Sequence, residues 1–308
     1  MFDVCLLGTS GMLPLPNRWL TSCLIRYGGT SLLIDCGEGT QITMRMQGWS
    51  FKDIDTILFT HYHADHVAGL PGLLLTIGNS GRTEPITIIG PKGLKRVLDG
   101  LLQIARGLPF QVLYRELTAE EIDGQLPIER GPLIIKSCRC DHGVPCVGYS
   151  VQISRKPRFD PDRAKAANIP LPYWHCLQNG ETVRGEDGTV FTPDMVLGGA
   201  RRGLKVTYVT DSRPKDTIVS LAKGSDLFIC EGMYGAKDKQ EKVKEHKHMS
   251  FQEAAAMAKA AGVSELWLTH FSPAMPQPKD YLPEAAAIFA NTRIGRDRQT
   301  RELTFEED

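Results

Sequence analysis

Short apolar runs bounded by glycine and polar turns recur along the chain, and they set its predicted elements. Residues 3–8, 22–27 and 31–35 are successive runs rich in leucine and isoleucine, the last two separated by Gly28 and Gly29. They predict three strands. A helix is predicted over 39–48, a short apolar strand over 56–60, a helix over 67–77, a strand over 86–89 and a helix over 94–106. Further strands are predicted at 111–117, 133–141 and 148–153. Between 155 and 200 the apolar pattern fades. Pro157, Pro161, Pro170, Pro172 and Pro193 fall there, and glycine is frequent after Gly180. That stretch reads as an arm inserted into a single domain spanning 1–308. Strands resume at 205–210 and 226–230. Ser250 with Glu253 three residues on is a capping box, and it opens an alanine-rich helix. A strand at 265–270 and a helix at 281–291 follow, then a charged tail. Strands that open each half and helices that close it predict sheets packed together with helices outside, a layered α/β architecture.

Composition narrows the function classes. The 308 residues carry 36 lysines and arginines against 36 aspartates and glutamates, so the formal net charge is zero. A generic basic nucleic-acid coat protein would show a clear positive excess. With 42% hydrophobic residues, an acidic disordered chain is excluded as well. A fold of this length buries roughly 75% of its unfolded surface and needs no staples to hold it. The first eight residues lack a basic n-region, and no apolar run approaches the ~18 residues of a membrane span. A soluble cytoplasmic protein without membrane attachment is expected. Several of the eight cysteines sit in apolar runs such as Val4-Cys5-Leu6. They suit buried free thiols better than a disulfide framework. Cys138-Arg139-Cys140 lacks metal-type spacing, so a cysteine metal site is not expected.

Candidate chemistry concentrates in one turn. His61, His63, Asp65 and His66 fall within six residues, directly after the apolar run 56–60. His61 and His63 are two apart and share a side of an extended segment. Asp65 and His66 enter the next helix and project differently. Four ligand-type side chains on one turn can serve two adjacent metals, and imidazole with carboxylate suits zinc, with manganese or iron as substitutes. Three other strand ends repeat the arrangement of apolar run, ligand residue and turn: Asp141-His142-Gly143, Thr210-Asp211-Ser212 and Thr269-His270-Phe271. A lone histidine at a strand end is more often hydrogen-bonded structure. Three such ends beside the 61–66 cluster make a metal constellation the better account.

The turn His61-x-His63-x-Asp65-His66 is similar to the signature of the metallo-β-lactamase fold. More closely, the chain resembles the ribonuclease Z (tRNase Z) family, endonucleases that trim tRNA 3′ ends. The matching stretches include Leu7-Gly8-Thr9-Ser10-Gly11, Asp35-Cys36-Gly37-Glu38-Gly39-Thr40-Gln41, Gly81-Arg82-Thr83-Glu84-Pro85, Gly90-Pro91-Lys92-Gly93 and Leu268-Thr269-His270-Phe271-Ser272. The resemblance implies an αββα four-layer sandwich holding two zinc ions per subunit. His61, His63 and His142 would bind one ion, Asp65, His66 and His270 the other, and Asp211 both. Asp35 would orient the cluster by hydrogen bonds. Asp65 would take the water proton, and Glu231 with His248 would assist protonation of the leaving oxygen. Arg18, in the loop 14–19 that senses the tRNA 3′ end, and Arg155, Lys156 and Arg158, beside the arm, would contact substrate. A homodimer and a precursor tRNA substrate are implied too.

The chain departs from the family pattern at Pro16 and Trp19, across 169–180 and across 271–276. The alternative reading is therefore a sibling hydrolase of a small phosphodiester, cyclic nucleotide, aryl sulfate or lactone, with Trp19, Tyr173 and Trp174 walling its pocket. A basic face joining 155–165 to the lysine-rich stretch 237–247 would favour tRNA. His175 and His246 read as surface residues outside the constellation.

Overall fold

The computed structural model describes residues 1–235 and 240–306, without the side chains of Gln240 and Lys242. The stretch 237–247 is thus described only in part, and Lys237, Lys239 and the Lys242 side chain lie outside the described residues. Two compact units emerge. One comprises Met1–Gln152 with Leu204–Glu306, and the other Ile153–Gly203.

The first unit is built on two seven-stranded sheets. The amino-terminal sheet contains β1 (Phe2–Gly8), β2 (Ser22–Tyr27), β3 (Thr30–Ile34), β4 (Ile54–Leu58), β5 (Ile86–Gly90) and β6 (Val112–Glu116). The second contains β7 (Ile128–Arg130), β8 (Leu133–Arg139) and β9 (Val147–Arg155). After the short pair β10 (Val183–Arg184) and β11 (Val190–Phe191), it continues with β12 (Arg201–Val209), β13 (Leu227–Glu231), β14 (Leu266–Thr269) and β15 (Thr292–Ile294). The final strand, β16 (Gln299–Leu303), crosses back to pair antiparallel with β1.

Period-two alternation explains the layering. Cys5, Leu7, Leu24, Leu33, Ile57 and Ile88 point to one face of the first sheet. There they pack on Met44, on Leu70, Leu73, Leu74 and Ile77, and on Leu94 and Leu98 from three helices, Thr40–Gln47, Leu70–Asn79 and Leu94–Leu101. The alternate residues Val4, Leu6, Ile25, Leu32, Ile34 and Leu58 are equally buried. A sheet apolar on both faces must be covered on both. The second sheet repeats this. Val209, Phe228, Cys230, Leu266 and Leu268 meet helices Asp216–Ala222 and Phe251–Ala261, while Tyr149, Tyr208, Ile229 and Trp267 are buried on the opposite side. Bonds between the sheets close the sandwich. The Tyr149 hydroxyl donates to the Phe59 carbonyl at 2.8 Å. Arg130 donates to Thr56 Oγ1 and Thr87 Oγ1 at 2.8 and 2.9 Å. The expected αββα order is the order found.

Some expectations shift. The helix predicted over 67–77 breaks into Ala64–Val67 and Leu70–Asn79. At the break, a Cβ on Gly69 would stand 2.2 Å from the Gly37 carbonyl oxygen, so only glycine lets the backbones approach. The helix expected over 281–291 is shorter, Leu282–Ala286. The charged tail holds β16, missed because an edge strand with only Leu303 buried carries little apolar signal. The Ser250 capping box forms as read, with Glu253 N donating to Ser250 Oγ at 3.2 Å and Ser250 N to Glu253 Oε2 at 2.9 Å.

The second unit has a core of its own. Ala164, Ile169, Leu177, Phe191 and Val196 are buried, with Phe159, Tyr173 and Trp174 against them. Helices Pro161–Ala166 and Leu171–Gln178 are too short for a 3.6-residue period to show in a sequence window. Asp160 caps the first by accepting from Asp162 N and Arg163 N, both at 3.0 Å.

Candidate metal centre

The ligand-type residues all follow strand ends of the first unit, in the loops there or in the first turn of a helix. After β4, Thr60 carries the chain into His61 and His63, and Asp65 and His66 begin the helix Ala64–Val67. His142 sits in the turn closed by Cys140 N donating to the Cys146 carbonyl at 2.9 Å. Asp211 follows β12 and His270 follows β14. Asp35, Asp211 and His270 all have positive φ, +58°, +52° and +56°. Left-handed backbone at three non-glycine residues costs of order 1 kcal/mol or more each, and it is what swings these side chains off their strands into one cavity.

Two groups carry the expected ligands, and a third set, Asp211 with His248 and His270, overlaps them. His61, His63, His142 and Asp211 present ligand atoms within 4.8 Å of one another, as do Asp65, His66 and His270. Asp211 faces both. Its Oδ1 lies 3.9 Å from His61 Nε2 and 3.8 Å from His142 Nε2, while its Oδ2 lies 3.2 Å from His66 Nε2 and 3.3 Å from His270 Nε2. Asp65 Oδ2 stands 3.3 Å from His270 Nε2 and accepts from the Met12 backbone N–H at 2.7 Å.

Asp35 supports the second group. It is fully buried, and its Oδ2 lies 2.8 Å from His66 Nδ1 while Oδ1 accepts from Thr60 N at 2.8 Å. Against burial, Asp211, Asp35 and Asp65 surround His66 and raise it well above its ordinary value. The buried carboxylates thus demand positive charge at this spot, which a protonated ring or a bound cation supplies. Asp211 Oδ2 and His270 Nδ1 are buried without a hydrogen-bond partner. Five imidazoles and two carboxylates in these groups fit a pair of nitrogen- and oxygen-seeking divalent metals.

Charge follows burial and neighbours. Burial raises the Asp211 carboxyl, yet His270, His66 and His61 outweigh it and hold the group well below its ordinary range. Asp65 is held low in the same way against burial, chiefly by His66 and His270. Burial lowers His61 and His142, the other imidazoles around them working the same way and Asp211 against it.

Beside these groups, His248 Nδ1 lies 2.9 Å from Glu231 Oε2, and Glu231 Oε1 accepts from Ser212 N at 2.6 Å. Glu231 is the last residue of β13 and wholly buried. Burial works against a charged His248, but Glu231, Asp211 and Asp65 raise it to about 9.

The remaining site residues fall elsewhere. Arg18 is half-buried, donating to the carbonyls of Met275 and Ser272 at 3.0 and 3.1 Å. Arg155, Lys156 and Arg158 belong to the second unit, where Lys156 donates to Asn179 Oδ1 at 2.9 Å. Tyr173 and Trp174 pack within the core of the second unit, Trp174 donating to the Ile169 carbonyl at 2.9 Å. Trp19 lies in the first unit against Gly39, where a Cβ would come 2.1 Å from its ring. His246 is exposed and outside the ligand groups, as read, yet with Met12 and Tyr234 it lines the cavity of about 350 Å³ that opens on them. Nothing in the local pattern marked Met12 or Tyr234, because loop closure alone brings them there.

Comparison with known proteins adds to this geometry. Residues 2–107 match the family model described as anti-Pycsar protein Apyc1. Over 308 residues the chain is 56% identical to the ribonuclease Z of Agathobacter rectalis, covering 100% of both chains. It is 53% identical to that of Lachnoclostridium phytofermentans, again over 100% of both. Among solved structures, the short form of human tRNase Z superposes with a TM-score of 0.69 at 24% identity, over 98% of this chain and 100% of that one. That likeness is one of fold.

Proposed function

This chain belongs to the ribonuclease Z family, and from that membership we propose its function: an endoribonuclease that removes 3′ trailers from tRNA precursors by phosphodiester hydrolysis. The observation that carries the reading is full-length identity above one half, joined to a two-group metal cavity. We assign His61, His63 and His142 to one zinc, Asp65, His66 and His270 to the other, and Asp211 to both. Bound there, the metals would supply Lewis acidity and a water ionised near neutral pH.

The chain's own groups do the rest. Asp65 is ionised and accepts a proton from the attacking water. Asp35 fixes the ring of His66 by the bond at Nδ1. Glu231 holds His248 protonated, and His248 gives that proton to the leaving 3′ oxygen as the phosphorus–oxygen bond breaks. The products are a tRNA 3′-hydroxyl and a trailer with a 5′-phosphate. Arg18 belongs to the 3′-end sensing loop. Arg155, Lys156 and Arg158 sit on the arm, which serves as the tRNA grip in a homodimer. No helix among the described residues is long and apolar enough to cross a membrane, and a cytoplasmic setting suits a tRNA substrate.

The deciding assay incubates zinc-loaded protein with a tRNA bearing a 3′ trailer, and separately with bis-p-nitrophenyl phosphate. Trailer release leaving a 3′-hydroxyl is expected. Hydrolysis of the small diester with no trailer release would exclude the reading.

A further inference from the structure

A groove of about 490 Å³ opens beside Phe271, with Arg18, Lys279, Arg296 and Arg298 along it. A second hollow, of about 620 Å³, shares Lys279, Arg296 and Arg298 with it. In a chain of zero net charge, four cations against the single carboxylate of Asp297 is a strong local excess. That carboxylate is already engaged, accepting from Thr9 Oγ1 at 2.7 Å and from the Trp19 N–H at 2.6 Å. The guanidinium of Arg18 donates to two neutral carbonyls and lies over the Phe271 ring, with Asp297 near enough to act on it. Lys279, Arg296 and Arg298 are exposed. None of these three side chains has a hydrogen bond or ion pair among the described residues.

Backbone geometry places one of them deliberately. Arg298 has φ +65°, while its N–H donates to the Leu6 carbonyl at 2.6 Å. Glycine or asparagine would take that conformation at lower cost, so an arginine there is bought with strain. The groove is also close to the chemistry. Phe271 in its wall follows His270, one Cα step of about 3.8 Å away. Leu15 and Pro278 add apolar surface. Phe271 itself is buried, so the groove offers a strand its cations and the apolar edges of Leu15 and Pro278, which suits phosphates more than bases.

We propose that this groove is a phosphate-binding track for the single-stranded part of the RNA substrate. It rests on the RNA-cleaving reading above. An RNA strand is favoured over a free nucleotide because the groove shares three cations with a second hollow, and Phe271 in its wall is the chain neighbour of His270.

The test measures trailer removal by R296A/R298A protein over a range of salt. KM should rise roughly tenfold or more, and log KM against log salt should become shallower by about 1.4, two contacts at ~0.7 each. The lysine pair R296K/R298K should recover most of the loss, because a point charge suffices for phosphate. R106A, an exposed arginine elsewhere, serves as the neutral control. Zinc content and melting temperature report whether the double variant folds. If it does not, Lys279→Ala carries the same test with a slope change of about 0.7. An unchanged KM and salt slope in folded variants overturns the groove while leaving the function standing. Weaker binding of a free mononucleotide with unaltered RNA kinetics also overturns it. Wild-type protein that trims no tRNA overturns both.

Discussion

Gly11 tests the placement of His270 with a single methyl group. A Cβ at Gly11 would lie 2.6 Å from Cε1 and 2.8 Å from Nε2 of the His270 imidazole. Carbon atoms in ordinary contact stand about 3.5–4.0 Å apart, so Gly11→Ala must displace the ring by roughly 1 Å. The backbone on both sides is pinned, Gly11 N donating to the Phe271 carbonyl at 3.0 Å and Phe271 N to the Thr9 carbonyl at 2.9 Å. The displacement therefore falls on the ring. Metal–ligand distances tolerate about 0.2 Å, and a misplacement near 1 Å costs about 100-fold in rate. Overpacking of this kind costs about 1–3 kcal/mol in stability. The expected outcome is loss of part of the bound zinc by elemental analysis, a fall of roughly 100-fold in kcat for trailer removal, and a protein that remains folded. Gly100 is the matched control. It lies within the helix Leu94–Leu101, and nothing stands within 4 Å of its Cβ direction. Gly100→Ala should raise stability by about 0.5–1 kcal/mol and leave zinc and rate unchanged. Full zinc content and full rate in Gly11→Ala would refute the role assigned to His270.

Three more outcomes follow from the same contacts. Asp35→Asn keeps the shape but weakens the hold on His66 Nδ1, so zinc affinity measured by competitive chelation should fall 10–100-fold. Glu231→Gln removes the charge that raises His248 to about 9. A raised histidine is protonated below its folded value and loses the proton as pH climbs through it, so the alkaline limb of kcat against pH should move to lower pH in the variant; an unmoved limb would remove His248 as the proton donor. Seven of the eight cysteines are buried and free, burial pushing Cys5 up to about 12, and only Cys176 is partly exposed. A thiol reagent should count about one reactive group in the native protein and eight after denaturation.

The 61–66 turn was legible without coordinates because its ligands are adjacent in the chain, and two-residue spacing in an extended segment puts His61 and His63 on one side. The layered architecture was legible for a related reason. Each interior strand carries apolar residues on both faces, and such strands have to be covered twice. Ser250 and Glu253 were readable because a capping box spans three residues. These features are local, and local features survive in one dimension.

What lay out of reach was set by closure across long separations. His66 meets His270 across 204 positions, at 3.3 Å. Asp211 divides its two oxygens between the groups only because the left-handed backbone at its strand end turns it inward. The tail pairs as β16 with β1 although its own pattern is mostly polar, since an edge strand is held by backbone hydrogen bonds that any residue can make. The arm's core, built from helices of six and eight residues, was likewise below the length at which a period shows. So the chain alone determined which chemistry was available and that two apolar-faced sheets would stack. Folding in three dimensions decided which ligand-type residues stand within reach of one another, which carboxylate faces both groups, and where a neutral protein gathers its cations, because those depend on distances between residues that no spacing along the chain records.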